Sequence, residues 1–327
     1  MASSQLGLAA TLLVLAGCAA EEAFDVQADD DADTKRVAFG VVAVERTEGE
    51  GLSRASVSAK FMRVSAKEQI LAEDLVASRA VIPAAGECAT LASLDDLSVA
   101  RFSSRDWQSV SGFAVELLDV GDVSLLLRPT NEAGAAQKDS LLVPLSPRAF
   151  PDVGDLASGV FYTTPDATLP LSSVPFELSG SGAPTLDAFV LDAGAIPEHP
   201  AELRVAGLVA EEEDVIEVAA DADVSLSWTR ASTNEAGSEA VVYVDILGTS
   251  AYRCAFADAG AAVLPRGILG ESDVGGEATI SVHRVSERVV PLKQADQAAG
   301  EARIHFDVAS AVRVTVLASG LLGSRQQ

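Results

Sequence analysis

Apolar and polar residues alternate along most of this chain in short runs, set apart by Gly, Pro, Asn and Asp. In Ile304-His305-Phe306-Asp307-Val308 every second side chain is apolar. A strand with that period turns Ile304, Phe306 and Val308 to a core and His305 and Asp307 to solvent. The same alternation runs through Val224-Ser225-Leu226-Ser227-Trp228 and Ile280-Ser281-Val282-His283. Further β-rich runs occupy 37–44, 57–64, 113–118, 123–127, 141–145 and 241–247. Turn residues recur between them at the spacing of an antiparallel sandwich. One helix is predicted, over 67–78, where Ile70, Leu71 and Leu75 share a face. The expected fold class is all-β.

An internal echo bears on domain organisation. Asp122-Val-Ser-Leu125 precedes Thr130-Asn-Glu-Ala-Gly134, and Asp223-Val-Ser-Leu226 precedes Thr233-Asn-Glu-Ala-Gly237. Each Asn-Glu-Ala-Gly segment separates two apolar runs, as a β-hairpin loop does. Either an old duplication or similar turn chemistry in an Ala- and Gly-rich chain produces this. Residues 193–201 hold two prolines, a glycine and no apolar period, which reads as a linker. The expected body is therefore two antiparallel β-sandwich units, 37–195 and 196–327.

Charge and the amino terminus add location. The 327 residues carry 48 acidic and 23 basic side chains, for a formal charge of −25. A phosphate backbone needs a basic surface, so a nucleic-acid partner is excluded. Leu6 to Ala16 is an apolar run too short to span a bilayer and of the length of a signal-peptide core. It closes in Leu15-Ala16-Gly17-Cys18, which resembles a bacterial lipobox, although residues 1–17 lack the usual Lys or Arg. The resemblance implies a signal peptide over 1–17, a diacylglycerol on the Cys18 thiol and a membrane-lipid partner. It also implies, with Ala19 after the cysteine, an outer-membrane address. Residues 18–36 then form an acidic tether. Asp29, Asp31 and Asp33 have the spacing of a calcium loop, but Thr34 and Gly40 stand where an EF-hand needs Gly and Glu.

In the second unit, Asp223-Val-Ser-Leu-Ser-Trp-Thr229 followed by Val241-Val-Tyr-Val-Asp-Ile246 resembles the early strands of immunoglobulin-like and fibronectin type III domains. That likeness implies Trp228 as a plug between two sheets. The whole arrangement is similar to secreted lipoproteins of myxobacterial type, with segments such as Leu118–Val123 and Cys254–Pro265. It implies a location and a fold and brings no activity.

Candidate chemistry is sparse. With Cys18 used for lipid, Cys88 and Cys254 remain, as one disulfide or as two buried thiols. His283 and His305, on strands and facing solvent, pair with Asp307 as a conceivable metal set, against the simpler reading of unrelated surface side chains. His199, between Glu198 and Pro200, is expected to be exposed. Ser181, in Gly180-Ser-Gly-Ala183, is read as a loop turn, since the five-residue nucleophile elbow is incomplete. No zinc-protease, nucleophile-elbow or phosphate-loop motif occurs. The expectation is a non-enzymatic envelope lipoprotein with no cofactor, no metal and an unknown protein or polysaccharide partner. An adhesin and a motif-less secreted hydrolase stand as alternatives. Sugar binding needs aromatic platforms, and Trp107 is the one candidate.

Overall fold

A computed structural model of the chain describes residues 36–49, 52–77, 79–96, 114–128, 140–151, 156–164, 175–209, 216–231, 241–270, 274–294 and 297–318. Cys18, the acidic tether and Trp107 lie outside the described residues.

Strand β1 (Val37–Gly49) turns back into β2 (Leu52–Val64), and helix α1 (Gln69–Val76) follows. Next come β3 (Cys88–Thr90), β4 (Val115–Leu117), β5 (Val123–Leu127), β6 (Leu141–Ala149), β7 (Ala157–Thr163), β8 (Pro175–Gly180) and β9 (Phe189–Ala195). Four short strands succeed them: β10 (Arg204–Val205), β11 (Leu208–Val209), β12 (Ile216–Ala219) and β13 (Val224–Ser227). The chain ends in β14 (Val241–Leu247), β15 (Ala251–Ala257), β16 (Ala261–Leu264) and the long pair β17 (Glu277–Gln294) and β18 (Gln297–Leu317). The all-β reading holds, with strands where the alternation placed them.

Pairing of β17 with β18 closes the order β18-β1-β2-β7-β6-β5-β8-β9-β17 into a barrel, with β4 wedged between β2 and β7. Most pairs are antiparallel, but β1 runs parallel to β18 and β4 parallel to β7. Inward side chains fill the barrel: Val42, Val44, Phe61, Leu125, Leu178, Leu191, Ile304 and Phe306. At its end Gly121 and Gly182 adopt left-handed φ of 76° and 88° where two turns touch. A Cβ on Gly121 would stand 2.4 Å from the Gly182 carbonyl oxygen, so only glycine fits. Ser181 sits in this turn, its Oγ accepting from the Asp122 N–H at 2.8 Å.

The remaining halves of β17 and β18 leave the barrel. With β12, β14, β15 and β3 they make one layer of a sandwich, and β11-β10-β13-β16 make the other. Val224, Leu226, Trp228, Val244, Ile280, Val282 and Val314 pack between the layers. Trp228 is the inter-sheet plug, and its Nε1 donates to Asp258 at 2.8 Å.

Four expectations change. The two β units are not separate sandwiches: one is a barrel, and β17 and β18 contribute side chains to both cores. Residues 193–201 are no free linker, because Ala193 and Ile196 are buried in the barrel core and the Glu198 carbonyl accepts from Arg284. The echo also splits. β5 and β6 do pair as a hairpin, whereas β13 and β14 lie in opposite layers. The Asn-Glu-Ala-Gly segments themselves lie outside the described residues. Finally, α1 forms, but Ile70 is 59% exposed and Ala72, Leu75 and Val76 are what it buries. They dock outside the barrel on Phe39, Met62, Val115 and Leu117.

Candidate functional site

Alternation on β18 puts Ile304, Phe306 and Val308 inside the barrel, so His305 and Asp307 point outward. Register sets Ala43 beside His305 and Glu45 beside Asp307 on one flank. Glu287 and Val285 stand beside them on the other. Lys60 enters from β2, opposite Val41. Part of this outer face is roofed, although Glu45 stays exposed. Residues 79–87 cross it as a strap, between α1 and β3.

The strap is fixed along its length. Arg79 pairs with Glu73 and Glu287, the Val81 carbonyl accepts from Arg253 at 3.2 Å, and the Gly86 N–H donates to the Ala255 carbonyl at 2.7 Å. Its far end is covalent: Cys88 and Cys254, opposite each other on β3 and β15, form a disulfide. Of the two readings open for these cysteines, the bridge is the one realised.

A cleft of about 540 Å³ lies between strap and strands. Val41, Ala43, Ile82, Pro83, Val241 and Val285 give it apolar walls, and Glu45, Lys60, Arg79, Glu287, His305 and Asp307 give it polar groups. An apolar concavity of this size with a handful of converging polar groups is the usual form of a ligand site.

Two polar clusters border the cleft. In the first, buried Glu73 receives Arg303 Nη1 at 3.0 Å and His305 Nε2 at 2.9 Å, with Arg79 beside it. Burial, then the Arg79 charge, push the His305 pKa down to about 4, so its ring is neutral at pH 7. Glu73, Glu287 and His305 hold three ligand-type atoms within 4.8 Å of one another. Arg79 and Arg303 already oppose both carboxylates, so a divalent cation would have to displace two guanidinium groups. The donor set does not suit a metal.

In the second cluster, Ser281 Oγ lies 2.9 Å from His283 Nε2, and His283 Nδ1 lies 2.8 Å from Asp307 Oδ1. The Tyr243 hydroxyl donates to Asp307 Oδ2 at 2.5 Å, and its ring stacks on His283 with centroids 4.4 Å apart. Burial, then the Asp307 charge, raise the Tyr243 phenol far above its ordinary range. Hydroxyl, imidazole and carboxylate stand in the order of a serine hydrolase. Yet Ser281 is buried and is not part of the cleft wall. The backbone around it is laddered to β14 and β18, which leaves its N–H groups unable to cradle an oxyanion.

His283, His305 and Asp307 are thus brought to one face, as the strand pattern implied, but His305 joins Glu73 while Asp307 joins His283. The expectation that both histidines face solvent fails because Glu73 of α1 and Arg79 of the strap engage His305, while the Tyr243 ring stacks on His283. His199 is half-buried rather than exposed, and burial, then Arg46, lower its pKa. Sequence reasoning missed Lys60, Glu73, Arg79, Tyr243 and Glu287. Only Ser281-x-His283, two residues apart on one strand face, left a readable signal. No protein-family profile matches the chain, and no curated protein sequence matches it.

The first cluster has a pH consequence. In the unfolded chain His305 protonates near its ordinary 6.5, while the fold holds it near 4. Between these values the unfolded state binds the extra proton. The contribution is therefore whole above pH 6.5 and is lost as pH falls towards 4, by about 3 kcal/mol at most. Glu73, Glu287, Arg79, Arg303 and Lys60 face this ring, and urea unfolding at pH 7, 5 and 4 should show the decline. A His305→Gln chain with the same slope would refute the assignment.

Proposed function

We propose that this chain is a lipid-anchored, extracytoplasmic binding protein that takes a small, partly apolar molecule in the cleft under the strap. One observation carries the reading: the apolar cleft is roofed by a segment whose far end is bonded by Cys88–Cys254 to the sheet that floors it. A disulfide of this kind persists in an oxidising compartment, which agrees with a lipidated Cys18 and export. The acidic exterior keeps such a protein soluble and away from anionic surfaces, so lipid does the anchoring. The small-molecule ligand takes the place of the protein or polysaccharide partner expected from sequence. Among the described residues Trp228, Tyr162 and Tyr243 are buried and Tyr252 is half-buried against the sandwich core, so none of these four stands free as a stacking platform for a sugar.

The test has two parts. Cys18→Ser should abolish fatty-acid labelling and membrane fractionation, and persistent labelling would remove the anchor. The fluorescent apolar probe 1-anilinonaphthalene-8-sulfonate should bind the parent, and Ala43→Trp, which fills the cleft, should abolish that binding. Unchanged fluorescence in Ala43→Trp would remove the cleft.

A second reading, hydrolysis at Ser281, is favoured by the Ser281–His283–Asp307 geometry alone. A fluorophosphonate ester that labelled the parent but not Ser281→Ala would establish it in place of pure binding.

A further inference from the structure

We propose that Lys60 forms a reversible covalent imine with an apolar aldehyde held in the cleft. The inference rests on the cleft being a binding site, and adds the class of ligand and the bond that holds it.

The chain has five lysines. Lys67 and Lys293 are exposed, and Lys35 and Lys138 lie outside the described residues. Lys60, on β2, differs from the exposed pair: it is only 8% exposed and yet lines the cleft. Its charge acts on Glu45 and on His305, two other lining groups, which places the nitrogen among the polar groups of the cleft. Burial disfavours the ammonium by more than the Glu45 carboxylate favours it, so the Lys60 pKa is lowered. A larger share of the amine then carries the lone pair that attacks a carbonyl carbon. A lysine desolvated beside an apolar pocket is the side chain best suited to this chemistry. Val41, Ala43, Ile82 and Pro83 give the carbon chain of an aldehyde its apolar surroundings.

The hydrogen bonding suits the adduct as well. Lys60 Nζ donates to the Val76 carbonyl at 2.7 Å, which uses one N–H. The neutral amine keeps its lone pair and a second N–H beyond that bond. In the reaction the ammonium first gives one proton to water. The lone pair then attacks the aldehyde carbon, and the carbonyl π pair moves to the oxygen. One proton passes from nitrogen to that oxygen, a second returns to it from water, and the oxygen leaves as water while C=N forms. The sum is ammonium plus aldehyde giving protonated imine plus water, with nothing oxidised or reduced. The protonated imine retains one N–H, which the Val76 carbonyl accepts. It also retains the positive charge, which the Glu45 carboxylate and the Phe150 and Phe161 rings, 5.8 and 6.0 Å from Nζ, favour. The groups that hold the free lysine thus hold its adduct unchanged.

The experiment incubates the purified protein at pH 7 with hexanal and sodium cyanoborohydride, which reduces each imine to a stable amine. Peptide mass spectrometry then reads the alkylation rate of each lysine. Lys60 should react at least about tenfold faster than exposed Lys67 and Lys293, a small part of the gain from holding two reactants together. With glycolaldehyde, which lacks an apolar chain, that advantage should fall severalfold, and Ala43→Trp should remove it for hexanal too. Lys60 reacting no faster than Lys67 and Lys293 would overturn the imine; the cleft stays a binding site if the naphthalene probe still binds. If probe binding fails as well, both readings fall. An equal advantage with the two aldehydes, or one that survives in Ala43→Trp, would mean that the cleft does not present the aldehyde to Lys60, and would overturn the proposal. An Ala43→Trp chain that unfolds leaves the comparison of the two aldehydes on the parent to decide.

Discussion

Asp258→Ala should lower the unfolding free energy by about 3–5 kcal/mol, the cost of leaving a buried cation without its partner. Asp258 and Arg284 are each only 4% exposed at the side chain. Arg284 Nε donates to Asp258 at 2.7 Å, and its other nitrogens donate to the Glu198 carbonyl at 2.6 Å and the Thr229 carbonyl at 2.8 Å. The same carboxylate accepts from Trp228 Nε1. One ion pair therefore ties β17 to the segment after β9, to the end of β13 and to the sandwich plug. Removing the carboxylate strands a guanidinium and an indole N–H together. The double variant Asp258→Ala with Arg284→Met should regain much of the loss, because apolar groups need no partner. Urea denaturation measures both, and a single-variant loss under about 1 kcal/mol would show the pair to be dispensable.

Breaking the disulfide is the second large effect. Cys88 and Cys254 are separated by 166 residues in sequence, so the bridge closes a long loop of the unfolded chain. Cys88→Ser with Cys254→Ser should cost about 2–5 kcal/mol. It should also loosen the strap beyond Val81, since its far end then keeps only hydrogen bonds, those of Gly86 and Glu87 with Ala255 and the short β3–β15 ladder. Limited proteolysis should cut the serine variant within 77–87 and spare the parent there, and the naphthalene probe should weaken in step. A variant that stays uncut and as stable as the parent would mean that the strap needs no covalent end.

The expected cuts show where local pattern and tertiary structure part. Proline and glycine at 193–201 suggest a protease-accessible linker, but Ile196 and the Glu198 carbonyl are engaged by the barrel and by Arg284. Strands were legible because burial on one face repeats every second residue, as at Val123, Leu125 and Leu127. The opposite face was misread for the same reason. Polar side chains at 281, 283, 305 and 307 carry the signature of solvent, and nothing local says that residues 79–87 return over 305 and 307 or that the Tyr243 ring stacks on 283. Pairing partners were equally illegible. β13 and β5 begin with the same three residues, Val-Ser-Leu, yet one crosses to another layer and the other turns back in its own. Cys88 and Cys254 meet only because β3 adds to the edge of β15, a contact that no spacing along the chain announces.

The β17–β18 hairpin sets the order in which the molecule can be completed. Val41, near the start of the body, takes Arg303 as its partner, and Ile216 takes Val314. Neither the barrel wall nor the sandwich layer has its full set of strands until β18, the last strand of the chain, arrives. A chain leaving a ribosome or a translocation pore amino end first would hold both cores open until its final segment emerged. Such distant closure makes for slow folding. For a chain exported as proposed, that delay would be an advantage: it would stay unfolded while it crossed the membrane as an extended thread.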